Sequence, residues 1–385
     1  MKVVVAMDSF KGSLGSLEAA DAAAVGIQKA LPDSEVVRKP IADGGEGFLD
    51  VLTEALEGER RTRRVTAPLG DCVECTYGIV KARKMAVIEM ARAAGLTLVK
   101  KEKRNPLYTT TYGVGEVIRD AMEQGCRHFL VGIGGSATND GGIGMLKALG
   151  FGLWDKKGNP VPNGALGLAS LAHITEENVP DMLKECTFEI ACDVGAPLCG
   201  PEGCSAVFGP QKGADEKMIK RMDAWMEQYA LLAKKHYPDA DPFAPGAGAA
   251  GGLGFAFLTF TNAVIKSGIE IVTEKTYLED AIKDADVVVT GEGRLDAQSA
   301  MGKAPVGIAK LAKKYGKPVL ALSGSIGESA TKCNEQGIDA CFSILKTPVS
   351  SEEAMQVHTA KENLQDTAEQ IFRLWATINH ISSTD

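Results

Sequence analysis

Lys2-Val-Val-Val-Ala-Met-Asp-Ser-Phe-Lys-Gly12 opens the chain, and Asp286-Val-Val-Val-Thr-Gly-Glu-Gly-Arg-Leu-Asp296 echoes it near the other end. Each begins as a short β-branched run, read as a buried strand, and each breaks into glycine mixed with charged and hydroxyl residues. After the strand Lys2–Ala6, Leu17, Ala20, Ala24, Ile27 and Leu31 step by three and four. That spacing predicts a helix over Leu14–Leu31, with Ser16 as N-cap and Pro32 as stop. Glu35–Ile41 reads as a second strand and Gly47–Leu56 as a second helix, the start of a parallel βαβ sheet. The same rhythm returns late in the chain. Asp286–Thr290 is a strand, followed by a helix with Pro305 in its first turn and Ile308, Leu311, Ala312 and Tyr315 on its buried face. Gly316 and Pro318 end that helix, Val319–Leu322 is the next strand, and Leu364, Ala368, Ile371, Trp375 and Ile378 mark a last amphipathic helix.

Between these ends the texture changes, from about Thr66 onward. Thr76–Val80 and Ala86–Met90, joined by the turn-like Ala82-Arg-Lys84, suggest an antiparallel insertion. A helix with Val114, Val117, Ile118, Ala121 and Met122 on one face precedes strands at Phe129–Ile133 and Phe188–Ala191. Met218, Met222, Trp225, Tyr229 and Leu232 mark a long helix whose methionines and tryptophan read as core. The predicted fold is α/β: a discontinuous Rossmann- or flavodoxin-like parallel-sheet domain from residues 1–65 and 266–385, interrupted by a mixed α/β domain at 66–265. Two domains also suit a chain of 385 residues.

Unusual glycine-and-polar clusters tend to follow these strands. They are Asp8–Gly12, Ala42–Gly47, Gly134–Gly142, Cys192–Val194, Thr290–Asp296 and Ser323–Gly327. Open α/β sheets bind ligands at the carboxyl ends of their strands. A structural turn needs glycine, but not the Asp, Lys and Asn beside it. Phosphoryl transfer asks mainly for positioning and charge neutralisation, which such loops supply. Their backbone N–H groups can cradle phosphate oxygens. Lys11, Lys212, Arg294 and Lys303 can balance anionic charge. Asp8, Asp43, Asp140, Asp193, Glu292 and Asp296 are the candidates for holding magnesium or accepting a hydroxyl proton.

Composition narrows the partners. The net charge of −8 and the absence of a basic block argue against a nucleic-acid partner. Nine cysteines, an odd number without metal-ligand spacing, read as reduced buried thiols and suggest a cytoplasmic protein. The longest apolar stretch, Gly251–Ile265, is broken by glycine and reads as a buried helix rather than a membrane span. The five histidines are too scattered for a zinc site, no GxSxG elbow occurs, and no P-loop or protein-kinase signature is present. Gly132-Ile-Gly-Gly-Ser-Ala137 fits a dinucleotide fingerprint, which keeps an NAD(P)-dependent 2-hydroxy acid dehydrogenase open, although Thr138–Gly142 delays the helix that should follow at once. Gly246–Gly251 also fits but follows no strand. A non-catalytic small-molecule binding protein is the third reading.

The ordered set of Asp8–Gly12, Ala42–Gly47, Gly134–Gly142, Cys192-Asp193, Gly209–Ala214, Gly246–Gly254 and Thr290–Asp296 running into Gly302–Pro305 resembles the bacterial-type glycerate kinases. The resemblance covers nearly the whole chain. It implies ATP-dependent phosphorylation of D-glycerate in glycerate catabolism, with the 2-position preferred over the 3-position. It also implies a two-domain fold with the active site in the cleft between domains. Role assignments within the motifs rest on chemistry. Asp193 is the expected base, with Asp8 second and Lys11 beside it. Ser9, Lys11, Asp43, Gly134, Gly135, Ser136, Asn139, Asp140 and Arg294 are expected to bind substrate. Gly291, Gly293, Lys303, Ser323, Gly324 and Lys212 are expected to bind the nucleotide, and Glu292 and Asp296 the Mg2+. The expected partners are D-glycerate and ATP, with no nucleic acid and no membrane, on a monomer or homodimer.

Overall fold

The structure, a computed structural model, describes residues 1–300, 304–328 and 330–379. Lys303 and His380 lie outside the described residues. The strands, in chain order, are β1 (Lys2–Met7), β2 (Glu35–Arg38), β3 (Glu59–Thr66), β4 (Cys72–Val80), β5 (Met85–Glu89), β6 (His128–Gly132), β7 (Gly152–Trp154), β8 (His173–Thr175), β9 (Thr187–Ala191), β10 (Ala263–Lys266), β11 (Val287–Leu295), β12 (Val319–Ile326) and β13 (Ala340–Ser343). The chain divides into two compact units, one formed by Met1–Asp43, Asp50–Ala55 and Ile269–Asp385 and the other by Gly44–Leu49 and Leu56–Gly268.

The first unit is built on one parallel sheet in the order β2-β1-β11-β12-β13. Renumbered within the unit this is 2-1-3-4-5, the flavodoxin order, whose topological switch point lies between β1 and β11. The apolar side chains Val3, Val5, Val287 and Val289 are fully buried, as a sheet covered on both faces demands. One covering layer pairs the helix Ser16–Ala30 with the helix Val357–Ile378. Gly26 permits their close crossing, because a Cβ there would lie 2.1 Å from the carbonyl oxygen of Gln365. Gly15, not Ser16, caps the first helix, and its N–H donates to the Glu18 carboxylate at 3.0 Å. Ser16 is instead the first helical residue.

The second unit carries a sheet in the order β10-β9-β6-β5-β4-β3. Its β10, β9, β6 and β5 strands are parallel, whereas β4 runs antiparallel to both β5 and β3. Phe129 stacks on Phe188 at 4.7 Å between ring centres, and Phe257 closes on Phe188 at 5.6 Å. β7 and β8 form a separate antiparallel pair.

Unit boundaries differ from those expected. β3 pairs with β4 along its whole length, from Glu59 opposite Ile79 to Thr66 opposite Cys72, so residues 56–65 fold with the second unit. Gly44–Leu49 also join it, and the return comes at Ile269 rather than 266. The charged run Glu59–Arg64 hid this edge strand. Arg61 and Arg63 hold the buried carboxylate of Asp120 at 2.7 and 2.6 Å. The stretch Gly251–Ile265 is likewise not one helix. A helix ends at Phe260, and Ala263–Lys266 pairs with β9. All nine cysteines are free thiols, and burial pushes the Cys75 thiol up to about 12. No helix among the described residues is long and apolar enough to cross a membrane.

Candidate functional site

In the first unit, polar residues converge at the carboxyl ends of β1 and β11, on either side of the switch point. β11 and β12 continue as paired strand through their glycine clusters, with Glu292 opposite Ser323 and Arg294 opposite Ser325. These segments were expected as loops. They pair because glycine lets the backbones approach: a Cβ on Gly291 would sit 1.9 Å from the Leu322 carbonyl oxygen, and one on Gly324 would sit 2.6 Å from that of Gly293. Gly293 faces the turn after β1, its virtual Cβ 3.2 Å from the Cα of Phe10. A cavity of about 400 Å³ opens there, and Ser9, Lys11, Glu292, Arg294 and Asp296 are among its lining residues.

Asp8 lies at the end of β1, 4% exposed. Its Oδ1 accepts the Ser9 N–H at 2.7 Å. Burial, reinforced by the negative charges of Asp43 and Glu292, pushes its carboxyl up to about 8 despite the opposing pull of Ser9 and Lys11. The Lys11 ammonium stands 3.4 Å from Asp43 Oδ2. Burial alone would lower its pKa, but Asp43 and Asp8 outweigh that and hold it above the usual lysine value. The site thus contains a carboxylic acid that titrates near neutrality beside a firmly charged cation.

Glu292 is buried and accepts a 2.6 Å hydrogen bond from Ser299 Oγ. Ser299 also receives the Asp296 N–H at 3.2 Å, and its own N–H donates to Asp296 Oδ1 at 3.4 Å. Ser299 therefore ties the two expected metal ligands together, a role the sequence reading missed. The signal was the Asp296-x-x-Ser299 spacing, a reciprocal side-chain-to-backbone pattern. Arg294 is largely exposed, 3.6 Å from Asp296. Ser323, expected at the nucleotide, is fully buried. Its Oγ donates to the Ser325 carbonyl at 2.8 Å and accepts the Leu295 N–H at 3.0 Å, which makes it a brace between strands.

In the second unit, Asp193 is exposed just beyond β9, and its Oδ1 accepts the Gly268 N–H at 3.1 Å. Gly134 and Gly135, at the end of β6, line a second cavity of about 450 Å³ together with Glu89 and Arg92. Arg92 Nε lies 3.6 Å from Glu89 Oε2. The sequence reading named neither residue, since no glycine motif contains them. Ser136 is buried beside these glycines.

Three residues expected to contact ligands make their side-chain bonds within the second unit. Asn139, Asp140 and Lys212 lie inside the second unit with at most 1% exposure. Asp140 Oδ2 accepts from the N–H and hydroxyl of Thr111 at 2.9 and 3.0 Å and from the Gly144 N–H at 3.3 Å, and its Oδ1 accepts from Gly142 at 3.2 Å. Asn139 donates to Ser205 Oγ at 2.9 Å, and Lys212 donates to the Thr138 carbonyl at 2.6 Å. Burial lowers the Lys212 ammonium to about 8. These side chains fasten the loop from inside. The Gly246–Gly254 glycines pack against the same loop, with a Cβ on Gly251 only 2.1 Å from the Thr138 carbonyl oxygen. The helix after Gly134–Gly142 begins at Ile143. That is too late for the dinucleotide fingerprint.

Among the described residues no three His, Cys, Asp or Glu side chains converge as a metal cage. Magnesium at a nucleotide takes one or two carboxylates together with phosphate oxygens and waters. Glu292 and Asp296, coupled through Ser299, offer such a pair.

Comparison with known proteins shows the family. Residues 3–376 match the glycerate kinase family. Glycerate kinase of Haemophilus influenzae is 45% identical over 376 residues, covering 98% of this chain and 99% of that protein. Glycerate 2-kinase of Escherichia coli K12 is 47% identical over 356 residues, covering 92% and 93%. A crystal structure from Salmonella typhimurium LT2, described as a candidate glycerate kinase 2, superposes with a TM-score of 0.89 at 44% identity and covers 99% of this chain and 100% of that one.

Proposed function

Because the chain belongs to the glycerate kinase family, we propose that it transfers the terminal phosphoryl group of ATP to the 2-hydroxyl of D-glycerate, yielding 2-phosphoglycerate for glycerate catabolism. The observation that most supports a phosphoryl-transfer role for the first unit is the convergence of Lys11, Glu292, Arg294 and Asp296 on one cavity at the sheet's switch point. Preference for the 2-position draws support from the Escherichia coli relative, which is named a glycerate 2-kinase.

In this reading Lys11 and Arg294 bind the carboxylate of glycerate or the transferring phosphate, and Ser9 and Asp43 flank them. Gly291, Gly293 and Gly324 let the paired ends of β11 and β12 come close to the nucleotide. Glu292 and Asp296 would hold Mg2+, which when bound supplies charge neutralisation across the donor phosphates. Asp193 accepts the proton of the attacking hydroxyl and is oriented by the Gly268 N–H. Asp8 is the second candidate base, with a pKa near 8 that suits proton transfer at neutral pH. Gly134, Gly135 and Ser136 contribute backbone and hydroxyl donors for substrate oxygens.

The test is ADP release from ATP and Mg2+ by purified protein, with D-glycerate compared against L-glycerate and lactate. D-glycerate-dependent ADP release supports the assignment. A nicotinamide absorbance change with 2-hydroxy acids, and no ADP release, would restore the dehydrogenase reading.

A further inference from the structure

The cavity at the β1/β11 switch point is lined by two chemically different sets of side chains. One is polar and includes Ser9, Lys11, Ser13 and Arg294. The other is an apolar wall of Phe10, Ile344, Leu345, Val349, Ala354 and Met355. Most of that wall comes from the segment just beyond β13 and from the short helix Ser351–Ala354. Met355 leaves 46% of its surface exposed on this wall. It also packs over Gly12, where a Cβ would lie 2.7 Å from its Cε and where φ is +79°.

A three-carbon hydroxy acid presents no apolar face, so it gives no reason for six apolar side chains. Neither does a bare phosphate. A ligand with a flat apolar ring at one end and a polyanion at the other matches both sets. The Phe10–Leu14 turn folds back on itself, with the Phe10 N–H donating to the Leu14 carbonyl at 2.8 Å and the Ser13 N–H to the Phe10 carbonyl at 2.7 Å. The turn thus brings Ser9 and Ser13 to either side of Lys11. The hydroxyls of Ser9 and Ser13 are buried and have no hydrogen-bond partner among the described residues. Buried hydroxyls left unsatisfied are costly, and phosphate oxygens would satisfy both.

We propose that the apolar wall at Ile344–Met355 is the slot for the adenine ring of the nucleotide, and that the Ser9–Ser13 turn receives its phosphates. This inference rests on the kinase reading above and gives that reading a place for the base. Glycine-rich segments of β11 and β12 then form part of the nucleotide site rather than the whole of it.

Two wall variants test it, Ala354→Phe to fill the slot and Val349→Asn to make it polar, both checked for wild-type far-UV circular dichroism and melting. Neither residue belongs to the Ser9–Ser13 turn, and neither variant adds charge beside Lys11. The KM for ATP and the Kd measured by titration calorimetry should rise about tenfold or more. The KM for D-glycerate should move less than about threefold, and the Kd for inorganic tripolyphosphate, which has no base, should stay unchanged. The double variant Ser9→Ala with Ser13→Ala should weaken ATP and tripolyphosphate together. Unchanged ATP affinity in both folded wall variants would overturn the slot while leaving the kinase reading intact. Equal loss of tripolyphosphate in the wall variants would also overturn it. Wild-type protein that bound no ATP would overturn slot and kinase reading alike.

Discussion

Asp8→Asn should make the protein more stable and less active, and the size of the gain should depend on pH. In the unfolded chain the Asp8 carboxyl titrates near 3.8, whereas in the folded protein burial and the charge of Asp43 raise it to about 8. Between those values the folded protein holds a proton that the unfolded chain has released. Raising the pH therefore favours unfolding, by up to about 1.4 kcal/mol per pH unit. At pH 7 the interval spans about three units, so the raised carboxyl costs the fold roughly 4 kcal/mol relative to a group that does not titrate. Asparagine keeps a carbonyl oxygen to accept the Ser9 N–H and removes the titration. Some attraction from Lys11 is lost, so the expected gain is about 2–4 kcal/mol at pH 7, shrinking towards zero at pH 4. Urea unfolding from pH 4 to 8.5, with hydrogen exchange of β1 and β11 amides reporting the first unit alone, measures it. A variant no more stable than wild type at pH 8, or a difference independent of pH, would refute the buried-acid argument.

Other expectations follow from the same geometry. Asp193→Asn keeps an acceptor for the Gly268 N–H, so its fold should persist while kcat falls about 10²- to 10⁴-fold; near-normal turnover would remove Asp193 from the role of base. Lys212→Met should lower stability by about 1–3 kcal/mol through the lost bond to the Thr138 carbonyl, with the KM for ATP unchanged; a KM effect without a stability effect would return Lys212 to the nucleotide. Asp120→Ala strands the buried Tyr77 hydroxyl, which donates to Asp120 at 2.6 Å, and should cost roughly 2–3 kcal/mol in denaturant titrations; a loss below about 0.5 kcal/mol would show that the cluster carries no stability. Removal of divalent metal with a chelator should abolish phosphoryl transfer, and added magnesium should restore it; activity that survives chelation would argue against the Glu292 and Asp296 assignment.

The fold was most legible where burial leaves a simple mark on sequence. β1 and the start of β11 are runs of valine because both faces of their sheet are covered. β3 and β10 were missed because they are edge strands, one dense in arginine and the other short and following directly on a helix. The extensions of β11 and β12 look like loops by composition, since glycine and serine are poor strand formers. They become strand because each supplies the other's backbone partners. Within the site, Lys11, Glu292, Arg294 and Asp296 could be read as polar residues out of place after a strand. Asn139, Asp140 and Lys212 give the same signal for the opposite reason, because their side chains turn inward to hold a loop. Sequence spacing does not distinguish these two directions. Arg92, Glu89 and the Ile344–Met355 wall stand outside every glycine motif and become visible only when distant segments line the same cavities.

The most direct test of the central claim is phosphorus NMR of the product formed from D-glycerate, ATP and magnesium by the purified protein. The account predicts magnesium-dependent appearance of 2-phosphoglycerate together with ADP. A 3-phosphoglycerate signal would contradict the choice of hydroxyl, and the absence of any phosphoglycerate would contradict the kinase assignment itself.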